Sequence, residues 1–405
     1  MSPAVRAPRT EPLRVLADVT TWTAGRSGVG QYTERLLQAL AGGYPLDQWL
    51  LAANQATPEV DIAGERLQSR LPLRALWQQT AMAAHGLLPR RWPDGRRSRP
   101  DLAFYPNYLA PLIAGSPLPS APLVVTFHDM AVYLQPETFS FRKRELQRRL
   151  LPLVAARAAA ILTPSVNTRR DVLRLLDVEP RRVVVTPLAA DARFFGPVDD
   201  AAAAVLRQQH GVGSRYLLAV GTLEPRKNLV RLVAAFERVA ATRKGLQLLL
   251  VGGKGWRDQA IVQALGHSPA REAIVTPGYV SAGALHGLYA GALALCYPSL
   301  YEGFGLPVLE AMAAGAPVLV SRGSSLDEVA GDAALAVDPR DEGDIAAAMA
   351  RLCDDDDLRQ RLRAAGHARA ATFSWARTAE LTHDVFLRVR QGVAPDGSEG
   401  SPTRR

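Results

Sequence analysis

Glu302 and Glu310 bracket the segment EGFGLPVLE inside an otherwise apolar stretch, YEGFGLPVLEAMAAGAPVLVS. The run before it, ALALCYPS, has the near-continuous apolar character of a buried strand. Gly303 and Gly305 then permit a sharp loop and a close approach that a Cβ would block. Pro307 suits the first turn of a following helix, where its missing N–H loses no partner. The amides of Gly303, Phe304, Gly305 and Leu306 would gather at the positive end of that helix, a seat for phosphate oxygens. Glu310 falls about one turn inside the helix and Glu302 before it, so the two acids address different parts of one ligand. A carboxylate that accepts from a vicinal diol can hold a ribose, and the second acid would meet hydroxyls of an attached sugar. Taken singly, Glu310 could serve only the helix dipole, worth about 0.3–1 kcal/mol, and Glu302 could be a solvated loop acid.

A second group follows another strand-like run, in VGTLEPRKNL. Arg226 and Lys227 stand just ahead of a helix for which Asn228 is the expected cap. Cations at a helix N-terminus are electrostatically misplaced unless a dianion sits between them, and a pyrophosphate shared with the glycine loop explains both stretches. Two weaker signals lie in the first half. Gly28 and Gly30, in GRSGVGQYTERLL, fall after the first strand and before its helix, without the full G-x-G-x-x-G spacing or a following acid, which disfavours a nicotinamide cofactor. His128 and Asp129 end the strand VVTFHDM, where the histidine is either structural or faces a ligand's hydroxyl or phosphate. The acids of CDDDDLRQRL read as a helix start favoured by the dipole rather than as metal ligands.

The elements that must position these residues alternate along the whole chain. LRVLADVT, WLLAAN, DLAFYPN, PLVVTFHD, AAILTPS and RVVVTPLA are strand-like, with helical patterns such as YTERLLQALAG and TRRDVLRLLD between them. The rhythm restarts with YLLAVGT, LQLLLVGG, AIVTPGYV, ALALCYPS and APVLVS. Near-continuous apolar strands alternating with helices predict an α/β fold of two Rossmann-like domains, each a parallel sheet covered on both faces. The two would face each other across a cleft at the carboxyl ends of their strands, where ligands of open α/β sheets bind. The expected division is a disordered start over residues 1–12, a first domain over 13–197, a second over 198–374, a final helix over 375–391 and a disordered tail over 392–405.

The chain has 405 residues, 48% of them hydrophobic and 21% charged, as two soluble domains require. No run approaches the roughly 18 apolar residues that span a bilayer, and no secretory leader is visible. Cys296 and Cys353 are the only cysteines, too few for a disulfide framework or a structural zinc site, so a reducing cytoplasm fits. The formal charge of +9 is concentrated in runs such as PRRWPDGRRSRP and RKRELQRRL of the first half. These are a solvated basic surface, a contact with the anionic inner face of a membrane, or a nucleic-acid site. No RNA-binding aromatic motif or zinc finger supports the last, so no nucleic-acid partner is expected.

EGFGLPVLE with its two acids, preceded by YPS and followed by AMAAGAPVLVS, resembles the signature of retaining GT-B glycosyltransferases of glycosyltransferase family 4. GTLEPRKNL is similar to that family's diphosphate-binding segment, and GVGQYTERLL, TFHDM and SSLDEVAGDAALAVDP also match its habits. The likeness covers residues from about 13 to 390. It implies an intracellular enzyme that moves a sugar from a nucleotide diphosphate sugar, the donor substrate, to an acceptor, with no cofactor and no metal. Glu310 would hold the ribose and Glu302 the donor sugar. The Gly303–Leu306 amides would meet the diphosphate or sugar, and Arg226 with Lys227 would neutralise the leaving group. His128 would lie near the reaction centre, Gly28 and Gly30 would close its floor, and the backbone at Val280 would approach the base. The final helix would cross back to the first, acceptor-binding domain. Asp327 departs from the family's common proline and leaves the nearby loop open. SSL-x-EVAGDAAL is similar to bacterial mannosyltransferases of polysaccharide assembly, which implies mannose from a guanosine diphosphate donor and a lipid-linked or growing glycan as acceptor. A sugar-nucleotide epimerase of the same architecture and a catalytically silent glycan- or lipid-binding protein are the alternatives. The epimerase would need no acceptor, and the intact acids and cations argue against silence.

Overall fold

The computed structural model describes residues 11–21, 28–52, 61–62, 65–66, 90–91, 97–108, 121–198, 200–253, 255 and 258–393. The segments expected to be disordered at the two ends lie almost wholly outside these residues, as does much of the basic run over 89–100.

Two parallel sheets form, as the alternation predicts. The first holds β1 (Arg14–Asp18), β2 (Gln48–Ala52), β3 (Leu102–Tyr105), β4 (Leu123–Thr126), β5 (Ala160–Thr163) and β6 (Val183–Val185), in the order β6-β5-β4-β3-β1-β2. The second holds β7 (Tyr216–Val220), β8 (Gln247–Val251), β9 (Ile274–Gly278), β10 (Ala294–Tyr297), β11 (Val318–Ser321) and β12 (Leu335–Val337), in the order β9-β8-β7-β10-β11-β12. Runs such as LAFY, LVVT and ALCY are buried at every position because helices cover both faces. Strand order reverses beside β1 in the first sheet and between β7 and β10 in the second. Loops leave opposite faces of a sheet at such a point, and the crevice that opens there is where a ligand fits.

Helices α1 (Gly28–Gly43), α2 (Phe141–Arg157) and α3 (Val166–Leu175) belong to the first domain, and α4 (Asp200–Gln209), which packs on the second, follows the crossing segment 186–198. Helices α5 (Leu229–Ala240), α6 (Gln259–His267), α7 (Ala282–Gly291), α8 (Leu306–Ala313), α9 (Ser325–Ala330), α10 (Glu342–Asp354) and α11 (Asp356–Ala370) surround the second sheet. In α5 the buried Leu229, Leu232, Val233, Phe236 and Val239 recur at helical spacing and seal one face of that sheet. Asp355 caps α11 by accepting from the Leu358 amide, with Asp356 and Asp357 in the first turn, so the acidic run is a helix start.

The last helix, α12 (Trp375–Arg390), returns to the first domain. Phe386, fully buried, meets the Phe104 ring of β3 at 5.3 Å, the Thr378 hydroxyl donates to the Pro187 carbonyl, and His383 stacks on Tyr44 while bonding Asp47 at 2.9 Å. A second clamp lies at the cleft. Glu328 of α9 accepts from the Val166 and Asn167 amides at the start of α3, at 2.9 and 3.2 Å. That carboxylate favours the positive helix end it faces. Tyr301 donates to Asp171 of α3 at 2.9 Å and accepts from the Met130 amide at 3.2 Å. The loop after β10 is therefore gripped by the first domain.

Candidate active site

The loop after β10 brings the two sequence groups together. Glu302 accepts from Arg226 Nη1 at 2.8 Å and from Lys227 Nζ at 2.7 Å, one cation on each oxygen. Glu224 holds the far side of the same guanidinium through Nε and Nη2 at 3.1 and 2.7 Å, and Arg226 also donates to the Tyr301 carbonyl. Burial alone would raise the Glu302 carboxyl, but Arg226 and Lys227 outweigh it and hold it down to about 2. The anion between the two cations is thus Glu302 itself.

Asn228 occupies the position before α5 but does not cap it. It takes a left-handed backbone, φ 60°, and its side-chain amide donates to the carbonyls of Pro298 and Pro339 at 3.0 and 2.6 Å. Two buried carbonyls outrank the cap, and the amide ties the Arg226–Lys227 turn to the loop after β10.

An adjoining cleft of about 690 Å³ runs between the domains. Gly28 and Arg35 of α1 line one wall, and Gly221, Gly252, Val280, Leu306 and Glu310 are among those lining the other. Arg35 is ion-paired with Asp191 of the crossing segment, which Arg193 also meets at 3.1 Å. Glu310, one turn into α8, is 7% exposed and accepts from the Tyr289 hydroxyl of α7 at 3.2 Å. Burial raises its carboxyl to about 7, against the pull of that hydrogen bond. Ser321, at the end of β11, and Ser325 of α9 support the neighbouring loop through the Ser299 and Glu302 carbonyls.

Not every expected residue reaches this cleft. Arg226, Lys227, Glu302 and His128 do not line it. The Lys227 chain lies behind Gly221, where a Cβ would sit 3.2 Å from Lys227 Cε. Of the expected amide row only Leu306 lines the cleft. Gly303 is needed for a different contact, since a Cβ there would fall 1.8 Å from the His128 carbonyl oxygen of the first domain. Its own carbonyl accepts from Ser165 Oγ at 2.7 Å. The Phe304 ring turns inward against Phe373, and Gly305 takes φ 109° where a Cβ would strike Leu326. Gly28 and Gly30 start α1 rather than precede it, and Gly30 is buried within its first turn. His128 Nε2 donates to the Pro106 carbonyl at 2.7 Å, and burial depresses the ring's basicity against the pull of that bond and of Asp129. Asp327 accepts from the Gly323 amide and closes the loop that its departure from proline had left open.

Sequence reasoning missed Tyr289, Glu224 and the glycines that end β7 and β8. A Cβ on Gly252 would fall 1.9 Å from the Gly221 carbonyl. Paired VG endings on strands that prove adjacent, VGT and VGG, carried that signal.

If Glu310 takes a ligand diol, donor binding is pH-dependent. The diol bonds the ionised carboxylate, so the donor KM is expected to rise about tenfold per unit as pH falls below about 7. Without ligand the sign for stability is opposite. A carboxyl raised from 4.5 contributes stability that is complete below 4.5 and is lost as pH rises through about 7. KM measured from pH 5.5 to 8.5, in parent and Glu310→Gln, checks this, because the variant's KM should be flat.

The chain is similar to proteins that are already known. Residues 27–189 match a family model described as glycosyl transferase 4-like domain, and residues 204–369 one described as glycosyl transferases group 1. An O-antigen chain mannosyltransferase B of Escherichia coli is 32% identical over 370 residues, 89% of this chain and 96% of that protein. An MMP alpha-(1->4)-mannosyltransferase of Mycolicibacterium hassiacum is 32% identical over 62% of this chain and 58% of its own length. Among solved structures, sucrose-phosphate synthase of Thermosynechococcus elongatus superposes with a TM-score of 0.73 at 21% identity, covering 95% of this chain and all of that one. HepE of Anabaena, solved in complex with UDP and glucose, gives 0.67 at 16% identity over 93% and 99%. Two facing parallel sheets, the two family domains in order and near-full-length identity of 32% with one relative converge: the chain belongs to the GT-B glycosyltransferases of the family 4 type.

Proposed function

We propose that the protein transfers mannose from a nucleoside diphosphate donor, with a guanosine base as the first choice, to a lipid-linked or growing glycan, with retention and without a metal ion. The relatives named as mannosyltransferases support the sugar. The observation that carries the chemistry is the buried Glu302–Arg226–Lys227 group at the β7–β10 switch point, beside a cleft that holds Glu310.

Glu310 holds the ribose diol, and Val280 with its neighbours receives the base. The diphosphate lies across Gly221 toward Lys227, Arg226 and the Leu306 amide, and Glu302 turns to the donor sugar. The bond from the sugar C1 to the phosphate oxygen breaks, its electron pair staying on the diphosphate. The acceptor hydroxyl oxygen bonds C1 on the same face, and its proton passes to the departing phosphate oxygen. Two fixed cations aimed at the growing negative charge lower that barrier without reorganising, which is the work a divalent ion would otherwise do. Among the described residues, no group of three or more His, Cys, Asp or Glu side chains is placed to hold a metal.

A panel of nucleoside diphosphates and their sugars, followed by melting temperature, tests the donor. A ligand at a hundred times its Kd adds about 2.7 kcal/mol. With the best donor, a product of unchanged anomeric configuration and turnover indifferent to EDTA are expected. Inversion, loss of activity in EDTA, or donor conversion without acceptor would overturn the corresponding part of the reading.

The membrane's anionic face is the proposed site of work. No helix among the described residues is long and apolar enough to cross a membrane. Helix α2, however, exposes Phe141 (66%), Leu146 (49%) and Leu153 (50%), flanked by the exposed Arg142, Lys143 and Arg149. Each basic residue near an anionic surface adds about 1 kcal/mol, so reversing Arg142 and Arg149 to glutamate should weaken sedimentation with phosphatidylserine vesicles at least thirtyfold, roughly. Equal binding by parent and variant would remove α2 from the account.

A further inference from the structure

We propose that Tyr297 is a positioning residue whose hydroxyl fixes the Lys227 ammonium where the donor's diphosphate arrives; this rests on Lys227 acting as a leaving-group cation. Tyr297 is the last residue of β10, on the strand beside the switch point. Its hydroxyl oxygen accepts from Lys227 Nζ at 2.5 Å, and its ring centroid lies 4.7 Å from the same nitrogen. Glu302 takes a second ammonium proton at 2.7 Å. A phenol in an otherwise apolar strand, 4% exposed, needs a polar partner, and here the Lys227 ammonium donates to it while the Glu302 carboxylate also faces it.

The division of labour follows from what each acceptor can do. Glu302 must share or release Lys227 if it is to meet the donor sugar. Tyr297, on a strand end buried in the second domain, stays where it is. Its contact keeps the ammonium charged and aimed while the carboxylate changes partners. Burial works against that charge, with the neighbouring Arg226 adding to it, and pulls Lys227 below the ordinary lysine value despite Glu302 and Glu224. Loss of that acceptor weakens chiefly the protonated form, which has three N–H donors and a charge to place.

Tyr297→Phe keeps the ring, its packing and its contact with the ammonium, so the fold survives. A hydrogen bond to a charged group is worth enough to move a titration by about one pH unit or more. The basic limb of the kcat profile should therefore move down by that amount, and the loss of kcat, a few-fold on the plateau, should grow towards about tenfold more across that limb. Donor KM should change far less, and melting temperature should stay near that of the parent. Lys227→Ala is assayed alongside. If Lys227→Ala is crippled while Tyr297→Phe keeps the parent's kcat and pH profile, the positioning role is wrong and the leaving-group reading stands. If Lys227→Ala itself turns over normally, the leaving-group reading fails and the role of Tyr297 falls with it. A loss in Tyr297→Phe that is constant across pH and matched by a lower melting temperature would mark a packing residue and also overturn the proposal.

Discussion

The Arg226→Ala/Lys227→Ala double variant is expected to lose at least three orders of magnitude in kcat. One well-placed donor to developing negative charge is worth roughly a hundredfold to a thousandfold, and here both members of a pair are removed. The two act on one carboxylate and one leaving group, so their losses should not add, and each single variant should already show most of the effect. A stability effect comes with it. Glu302 is 6% exposed and would be left without either cation. Breaking a buried pair from one side costs about 3–5 kcal/mol. Adding Glu302→Gln to the double variant should recover much of that stability and none of the activity. A double variant within tenfold of the parent would sink the leaving-group role.

Glu302→Gln alone should separate charge from chemistry. Its kcat is expected to fall by about a hundredfold or more, on the scale of removing one preorganised charge from an active site. Its response to nucleoside diphosphate should change in the opposite sense. In the parent, Glu302 neutralises Arg226 and Lys227 from 2.8 and 2.7 Å, so a diphosphate bound there would have to compete with it. Without that carboxylate the two cations are left undercompensated, destabilising the variant by about 3 kcal/mol. Nucleoside diphosphate should then restore more melting temperature to the variant than it adds to the parent, and should bind it more tightly at low salt. The parent's own stability records the same group. A carboxyl held down to about 2 contributes stability that is present above 4.5 and lost as pH falls through about 2. Equal nucleoside diphosphate affinity in parent and variant would show that Glu302 does not guard the cations.

Much of this was legible in residue patterns. The alternation of apolar runs and helices led to two parallel sheets, and the E-x7-E and RK segments converge at one switch point. What single-sequence reading passed over has identifiable physical causes. Helix α7 carries Gly283, Gly287 and Gly291, poor helix formers on local grounds, yet it is held by the buried Ala284, Leu288 and Tyr289 and by Ser281 at its cap. Strand β12 is only LAV, too short for periodicity to speak. Gly303 reads as a ligand seat, but the residue that demands it is His128, 175 positions earlier, and no local pattern reports such a contact. Charge pairing was likewise hidden. Two acids and two cations can be read as partners of one ligand, whereas the fold pairs one acid with both cations.

That last point admits a direct measurement, the crystal structure of the protein with a nucleoside diphosphate bound. The account predicts the terminal phosphate within hydrogen-bond reach of Lys227 and the Leu306 amide, the ribose on Glu310, and the Glu302–Lys227 contact lengthened from its present 2.7 Å. Phosphates lodged elsewhere in the cleft, with Arg226 and Lys227 still closed on Glu302, would contradict it.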